Sequence, residues 1–316
     1  MPLTIFKEKL IILSDRKLDQ IIESYIKAGR IASNVIKEAI SKINPSMSFK
    51  NICETIEHRI KELGGDPAFP VNICVNDIAA HDTAEINDER IIRDGDVIKL
   101  DVGVHVNGYI ADTAVTISFN EKFSDMLHAN LDVLNEALQK IMVGKSLNEI
   151  GRAVYYTALS RGYKPISNLS GHSLDYYQIH AGQSIPNVPI NGSLGYFTVG
   201  KCYAIEPFLT DKNAAAFVKE DARANIFSLV KRKKIKCEKA NLLLEEIWKR
   251  RKTLPFAARW FTDIFSEQEL LRILDSLIKN KVVRKYSVLR EASNHVVTQF
   301  EHTVLVLEKN KIITTL

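Results

Sequence analysis

The sequence predicts a mixed helical and stranded protein with an inserted subdomain, and three observations support this prediction. Helical apolar spacing and capping signals recur before residue 163. Short strand-like segments, separated by Gly, Pro and Asn, fill residues 69–117 and 165–210. A helical stretch then interrupts the strands, which resume with HVVTQFEHTVLVLE. We therefore predict a main domain of residues 1–222 and 288–316, interrupted by a helical subdomain of residues 223–287.

Each predicted helix of the main domain has a local signal for its start or its end. An amphipathic helix over residues 15–43 ends before Pro45, and Ser48 can cap a second helix that ends at Gly64-Gly65. Two further helices are expected at about residues 122–142 and 146–162. Within the insertion the pattern predicts three helices, Asn241–Lys252, Pro255–Phe265 and Ser266–Lys279.

The segment IKLDVGVHVNGYIADTAVTI predicts a β-hairpin that brings two carboxylates together. The Asn-Gly pair at 107–108 favours a type I′ turn, which places Asp101 opposite Ala114 and Gly103 opposite Asp112. The two aspartates are then diagonal neighbours on one face. Two anions repel each other there unless a cation neutralises them, so the hairpin points to a metal site. Two solvated acids on an open strand are the alternative that the hairpin alone leaves open.

Composition limits the class of protein. At 316 residues the chain is long enough for more than one domain. Its four cysteines form no CxxC pair, which argues against a zinc knuckle and a disulfide framework and fits a reducing cytoplasm. No apolar run reaches membrane-spanning length, and the N-terminal MPLTIFKEKLIILSDRK lacks the pattern of a signal peptide. We expect a cytoplasmic protein that binds no membrane.

The net charge of +5 is concentrated in one segment. Residues 231–252 hold ten Lys or Arg against three Glu, a net charge of +7, so the remainder of the chain carries −2. A run of like charge is most often a solvated surface. Because this run lies in the insertion, away from the candidate site, it can instead give a weak, salt-sensitive attraction to ribosomal RNA. No DNA partner is expected.

Other acids and histidines stand in contexts unlike surface side chains. Glu206 lies in CYAIEPFL and Glu301 in the middle of an apolar strand, although either glutamate taken singly can face water. Together these two glutamates, the two hairpin aspartates and His172 form an oxygen-rich set of ligands with one imidazole. Such a set suits two divalent ions such as Mn, Fe, Co or Zn. Five ligands are too few for two closed sites, so two carboxylates would bridge ions about 3.5–4 Å apart. The candidate ligands are Asp101, Asp112, His172, Glu206 and Glu301.

These residues and the sequence motifs around them resemble those of methionine aminopeptidase of type 2. The matching words are FPVNICVNDIAAH, KLDVGVHVNGYIADTAVTI, NLSGHSLDYYQIHAG, YAIEPF and TQFEHTVL. Successive candidate ligands are separated by 11, 60, 34 and 95 residues, and the last gap distinguishes type 2, because type 1 enzymes lack the insertion. The resemblance covers residues from about 18 to 308 and has an archaeal character. One departure is Ser170, where several family members carry Asn.

The resemblance implies a fold and an activity. The fold is the α+β pita-bread architecture, with a curved antiparallel sheet under helices and a winged-helix-like inserted subdomain. The activity is removal of the initiator methionine from nascent polypeptide N-termini whose second residue is small, with two divalent metal ions as cofactors. Two alternatives remain open: an X-Pro aminopeptidase or proline dipeptidase of the same fold, and a non-catalytic homologue that binds RNA or the ribosome.

The resemblance also implies a role for each site residue. Asp101 would chelate one metal, Asp112 and Glu301 would bridge both, and His172 and Glu206 would complete the other. A metal-bridged hydroxide would attack the scissile carbonyl, with Glu206 moving its proton to the leaving amine. The remaining residues would contact the substrate: His81 and His180 would flank the scissile bond, and Phe69 and Ile179 would help to line the methionine pocket.

Overall fold

The computed structural model describes the backbone of residues 2–316 and the side chains of residues 18–316. The prediction that MPLTIFKEKLIILSDRK is not a signal peptide therefore concerns residues 1–17, whose side chains lie outside the described part of the chain. The helices are α1 Pro2–Ile40, α2 Phe49–Glu62, α3 Ser124–Lys140, α4 Asn148–Ser160, α5 Glu238–Arg251 and α6 Glu267–Lys279. Within the described residues, none of the helices combines the length and apolar composition needed to cross a membrane.

The strands are short, apart from one long hairpin. The first group is β1 Asp66–Pro67, β2 Asn72–Val75, β3 Ile78–Ala80, β4 Val97–Val106, β5 Tyr109–Ser118, β6 Tyr163–Pro165, β7 Ser170–Leu174, β8 Ser184–Pro186 and β9 Cys202–Ile205. The second group is β10 Phe208–Asp211, β11 Val218–Glu220, β12 Ile226–Leu229, β13 Phe256–Ala257, β14 Val283–Tyr286, β15 Leu289–Glu291, β16 Val297–Gln299, β17 His302–Val306 and β18 Lys311–Ile313.

Antiparallel pairing joins these strands into five sheets. The two largest are β1-β4-β2, with β5 paired to β4, and β18-β17-β9-β7-β8. Helices α1 and α2 bury apolar side chains against β2 and β4, while α3 and α4 cover β9 and β17. Each helix covers one sheet face, because amphipathic helices and half-buried sheets stabilise one another through their apolar sides. The main domain is thus α+β, as predicted.

Local signals placed most helix ends of the main domain correctly. The Ser48 hydroxyl accepts the Asn51 N–H at 3.4 Å at the start of α2, and Gly64 follows its end with a φ of +80°. The third and fourth predicted helices form within about two residues of their expected bounds. The first helix begins earlier than predicted, at Pro2 instead of residue 15.

The β4–β5 hairpin has the predicted register. Asp101 lies opposite Ala114 and Gly103 opposite Asp112. The turn residues at 107–108 both have positive φ, of 53° and 89°, as a type I′ turn requires. Gly103 also has a packing role: a Cβ there would lie 2.1 Å from the ring of Phe69, so only glycine lets that ring lie across the strand.

The insertion contains strands as well as helices. Strands β13, β12 and β14 form a three-stranded sheet, which packs with α5 and α6 around a separate apolar core. The predicted helix Pro255–Phe265 was wrong: its residues form β13 and a 3₁₀ turn over Ala258–Phe261. Phe256 pairs with Phe227 in the sheet, and this non-local pairing overrides the local helical pattern. The bounds of the inserted subdomain, residues 223–287, and its winged-helix-like character stay predictions.

Candidate metal centre and substrate pocket

Five strand ends or strand interiors deliver the candidate ligands to one place. Asp101 comes from β4, Asp112 from β5 and His172 from β7, while Glu206 follows β9 and Glu301 lies between β16 and β17. Their positions follow from sheet pairing, because the hairpin register fixes the aspartates and β7 and β17 both pair with β9. The residues that the sequence predicted as a site therefore converge.

Threonine side chains join the hairpin to the second large sheet. The Asp112 N–H donates to the Thr303 hydroxyl at 2.7 Å, and that hydroxyl donates back to the Asp112 carbonyl at 2.7 Å. The Thr113 hydroxyl donates to the Glu301 carbonyl at 2.8 Å, and the Glu301 N–H donates to the Ala114 carbonyl at 3.0 Å. These bonds fix the backbones of Asp112 and Glu301 side by side.

The acidic side chains face one another around a single imidazole. His172 Nε2 lies 3.7 Å from Asp112 Oδ2 and 3.5 Å from Glu206 Oε1. The potential ligand atoms of Asp112, His172 and Glu301 all lie within 4.8 Å of one another, which is close enough for one ion to bind all three.

Burial makes this cluster electrostatically unfavourable without a cation. Burial raises the pKa of Asp101 to about 7. Burial, and then the neighbouring carboxylates, raise the pKa values of Asp112 and Glu301 well above the usual range. Burial and Asp101 do the same for Glu206. Clustered acids of this kind are stable as anions only next to a positive charge.

The hydrogen-bond inventory fits a metal site. One buried carboxylate oxygen of each of Asp101, Asp112 and Glu301 finds no hydrogen-bond partner in the described part of the chain. Buried polar atoms are otherwise almost always paired, so these oxygens are available to a ligand. Oxygen atoms with one imidazole are the donor set that hard or borderline divalent ions prefer. The five residues therefore fit divalent ions.

A cavity adjoins the acid cluster, and its apolar wall comes from two parts of the chain. The main domain contributes Phe69 and Ile179, the two residues predicted to line a methionine pocket. The insertion contributes Ile226, Pro255 and Tyr286, which sequence reasoning missed. No local signal marks these three, because only the docking of the insertion brings them to the cavity.

His81 and His180, the two histidines predicted to contact the substrate, line the same cavity. The His180 ring lies 4.4 Å from the His172 ring, between centroids. Burial lowers the pKa of His81, and burial together with His81 lowers the pKa of His180 to about 4, so both rings are neutral at pH 7. A neutral imidazole offers one donor and one acceptor to a substrate.

The backbone and ring of His81 are held in an unusual arrangement. Its φ of +65° lies in the left-handed region, which is uncommon outside glycine and is often found at functional sites. The ring Nδ1 lies 3.3 Å from the Ser287 carbonyl oxygen. A carbonyl can only accept, so Nδ1 carries the proton and Nε2 is left as an acceptor.

Sequence reasoning also missed Gln299, two residues before Glu301. Its side-chain amide donates to Glu206 Oε2 at 3.3 Å and lies 3.5 Å from Glu301 Oε2. Gln299 is buried and therefore orients two candidate ligands from behind the cluster. The word TQFEHT contained this residue, but only the fold shows that its amide reaches Glu206.

The basic segment 231–252 is only partly a free surface. Lys231, Lys233 and Lys234 are exposed, as predicted. Arg251, however, is buried, and Arg250 pairs with Glu246 and Asp263. The expectation of a solvated surface is therefore wrong at Arg251, whereas Arg250 stays exposed although it is paired. Helix packing turned Arg251 inward, which a count of charges along the sequence does not detect.

Comparison with known proteins gives consistent matches. The model of metallopeptidase family M24 matches residues 23–308. The methionine aminopeptidase of Methanocaldococcus jannaschii is 43% identical over 293 residues, which cover 93% of this chain and 98% of that protein. Among solved structures, a thermophilic Arx1 has a TM-score of 0.82 at 18% identity, covering 93% of this chain and 90% of that one. The methionine aminopeptidase from Rickettsia prowazekii has a TM-score of 0.68 at 16% identity, covering 94% and 98%.

Proposed function

Because the chain belongs to metallopeptidase family M24, we propose that it is a metal-dependent aminopeptidase that removes the initiator methionine when the second residue is small. The predicted pita-bread fold is confirmed by the family match and the solved structures. The predicted alternatives, an X-Pro aminopeptidase and a non-catalytic RNA-binding homologue, are not favoured, because the near-full-length relatives are methionine aminopeptidases.

One observation carries this proposal: an apolar cavity with two neutral histidines opens directly onto a cluster of four acids and one imidazole, of which Asp112, Glu301 and His172 are buried. Asp101, Asp112, His172, Glu206 and Glu301 would hold two divalent ions, of which Co, Mn, Fe and Zn are candidates. Such ions, when bound, lower the pKa of a water molecule towards about 7 and so supply hydroxide at neutral pH.

The protein's own groups bind and orient the substrate. The apolar wall that Phe69 and Ile179 form would accept the methionine side chain, and the carboxylate cluster would hold the free N-terminal amine. His180 would donate a hydrogen bond to the carbonyl oxygen as negative charge develops there. His81, whose Nε2 is an acceptor, would bind the N–H of the second residue.

Glu206 is the group that we assign to proton transfer. It lines both the acid cluster and the pocket, and the Gln299 amide holds one of its oxygens. From this position the carboxylate would accept the proton that the attacking water gives up and would deliver it to the leaving amine. The substrates would be nascent polypeptide N-termini in the cytoplasm, and no DNA partner is proposed.

The selectivity of methionine release tests the function. We expect the purified enzyme, supplied with each divalent ion in turn, to release methionine rapidly from Met-Ala-Ser and slowly from Met-Leu-Ser, because a closed rim around the acids would admit only a small second side chain. Release is measured by chromatography of the free amino acid. An Ala-Pro-Ser peptide is the control, since an X-Pro aminopeptidase would cleave it. Equal release from the two methionine peptides, or preferred cleavage of Ala-Pro-Ser, contradicts the proposal.

We also propose that the exposed lysines of the basic segment attract the enzyme weakly to ribosomal RNA. Lys231, Lys233 and Lys234 lie together on the surface of the insertion. Arg232 belongs to the same run, but it stacks on Trp248 at 4.6 Å and pairs with Glu245 at 3.2 Å, so part of its charge is neutralised. A weak phosphate contact of this kind would weaken as salt is added.

Charge reversal at these three exposed lysines tests this association. The triple variant Lys231→Glu, Lys233→Glu and Lys234→Glu should lose ribosome co-sedimentation at low salt and cleave short peptides at the parent rate. A matched control reverses three exposed lysines elsewhere, Lys145, Lys201 and Lys212. If both triple variants co-sediment as the parent does, or if the parent never co-sediments, the segment is only a solubilising surface.

A further inference from the structure

We propose that Glu57 is a positioning residue for the substrate pocket: with Arg259 and Trp260 it holds the insertion against the segment that carries Phe69. This inference rests on the proposed function, because it assigns methionine selectivity to the width of the pocket. Glu57 lies on α2 and does not line the cavity. Its effect is therefore transmitted through the residues that it binds.

The Glu57 carboxylate is the centre of a buried network that joins the two parts of the chain. Its side chain is 8% exposed, and that of Arg259, on the insertion, is 3% exposed. Arg259 donates to Oε1, which also accepts the Val71 N–H at 3.1 Å. The Trp260 indole N–H donates to Oε2 at 2.7 Å. One carboxylate thus binds the insertion and the backbone two residues after Phe69.

A hydroxyl from the loop after His81 completes the network. The Thr83 hydroxyl donates to the Val71 carbonyl at 2.6 Å, and Arg259 Nη2 lies 3.3 Å from the same hydroxyl. Both backbone polar groups of Val71 are therefore fixed, one by Glu57 and the other by Thr83. The network therefore holds Val71, two residues after Phe69 of the pocket wall, and the loop just after His81, and none of these hydrogen bonds involves an acid of the cluster.

A second buried arginine of the insertion binds the same wall from its other end. Arg251 Nη2 donates to the carbonyls of Pro67 at 2.6 Å and Ala68 at 3.2 Å, just before Phe69. The same nitrogen donates to the carbonyl of Pro255 at 3.2 Å. This guanidinium therefore joins Pro255, which lines the pocket, to the backbone just before Phe69, which also lines it.

Because of these contacts, loss of Glu57 should change substrate binding but not metal binding or the chemical step. Loss of the Glu57 charge leaves Arg259 buried without its anionic partner, which favours separation of the insertion from the Phe69 segment. The pocket would then bind methionine less tightly and discriminate less between side chains. The acid cluster is held by other bonds, from Thr113, Thr303 and Gln299, so metal content and the chemical step should change little.

The variant Glu57→Gln tests the inference, with Glu54→Gln as the matched control on the exposed side of the same helix. Glu57→Gln should raise KM for Met-Ala-Ser about tenfold, leave kcat within about twofold, and lower the preference for methionine over norleucine. Glu57→Asp, which keeps the charge, should have a KM between those of the parent and Glu57→Gln. Metal content, measured by mass spectrometry, should equal that of the parent.

Amide hydrogen exchange provides a readout that requires no activity. Peptides covering residues 66–73 and 255–262 should exchange faster in Glu57→Gln than in Glu54→Gln. Unchanged exchange in both segments overturns the inference, whether or not the parent releases methionine. A lower melting temperature with unchanged KM also overturns it, because Glu57 would then be merely structural, as does a loss of metal. Failure of the parent to release methionine overturns the proposed function instead.

Discussion

Replacing Glu301 with alanine is expected to remove bound metal and to lower methionine release by several orders of magnitude. Glu301 is 2% exposed, and its carboxylate lies within 4.8 Å of the potential ligand atoms of Asp112 and His172. Removing this proposed ligand would leave the proposed cations with too little negative charge around them, and the supply of hydroxide at neutral pH would be lost with them.

Metal content and activity are measured on the same preparation, by mass spectrometry and by release from Met-Ala-Ser. Glu308→Ala is the matched control, because Glu308 is exposed just beyond the end of β17. It should retain metal and full turnover. If Glu301→Ala still releases methionine at a rate near that of the parent, a dinuclear centre built on this residue is excluded.

Replacing His81 should separate metal binding from turnover. His81 lines the pocket but is not one of the proposed ligands, so His81→Ala is expected to keep its metal and to lose about tenfold or more in turnover, as expected when one substrate hydrogen bond of about 1.5 kcal/mol is lost. The physical reason is the loss of the Nε2 acceptor, which the Ser287 carbonyl orients from the other side of the ring.

The left-handed backbone at this position requires a second variant. Alanine is strained at a φ of +65°, whereas asparagine tolerates it and also offers an acceptor, so His81→Asn should fold as the parent does and recover part of the activity. His128→Ala, at an exposed histidine on α3, should leave turnover unchanged. Parent-like kcat in both His81 variants would exclude a role for this imidazole in turnover.

The insertion has a larger part in the site than its sequence indicates. Its charge pattern suggests only a weak attraction to RNA, yet two buried arginines join it to the rest of the chain: Arg251 donates to the carbonyls just before Phe69, and Arg259 donates to Glu57. Pro255 and Tyr286 supply pocket wall. The insertion therefore completes the wall of the cavity beside the acid cluster.

The sequence by itself determined the local structure around the site. The period-two pattern and the Asn-Gly turn fixed the register of Asp101 and Asp112, because both signals lie within twenty residues and do not depend on distant contacts. The Ser48 cap and the glycines after Leu63 placed α2 for the same reason. The local context of the remaining acids and of one histidine marked the other candidate ligands, and resemblance to a known family, carried by five short motifs, implied a role for each.

Tertiary structure alone decided how the distant parts meet. The strand Phe256–Ala257 replaced a predicted helix because Phe256 pairs with Phe227, twenty-nine residues away in the chain. Arg251 and Glu57 look like surface charges in the sequence, but helix packing buries both and turns them into links between the insertion and the pocket wall. Periodicity reports which face of an element is apolar. It does not report which buried charges find a partner, because that depends on residues hundreds of positions apart coming within hydrogen-bonding distance.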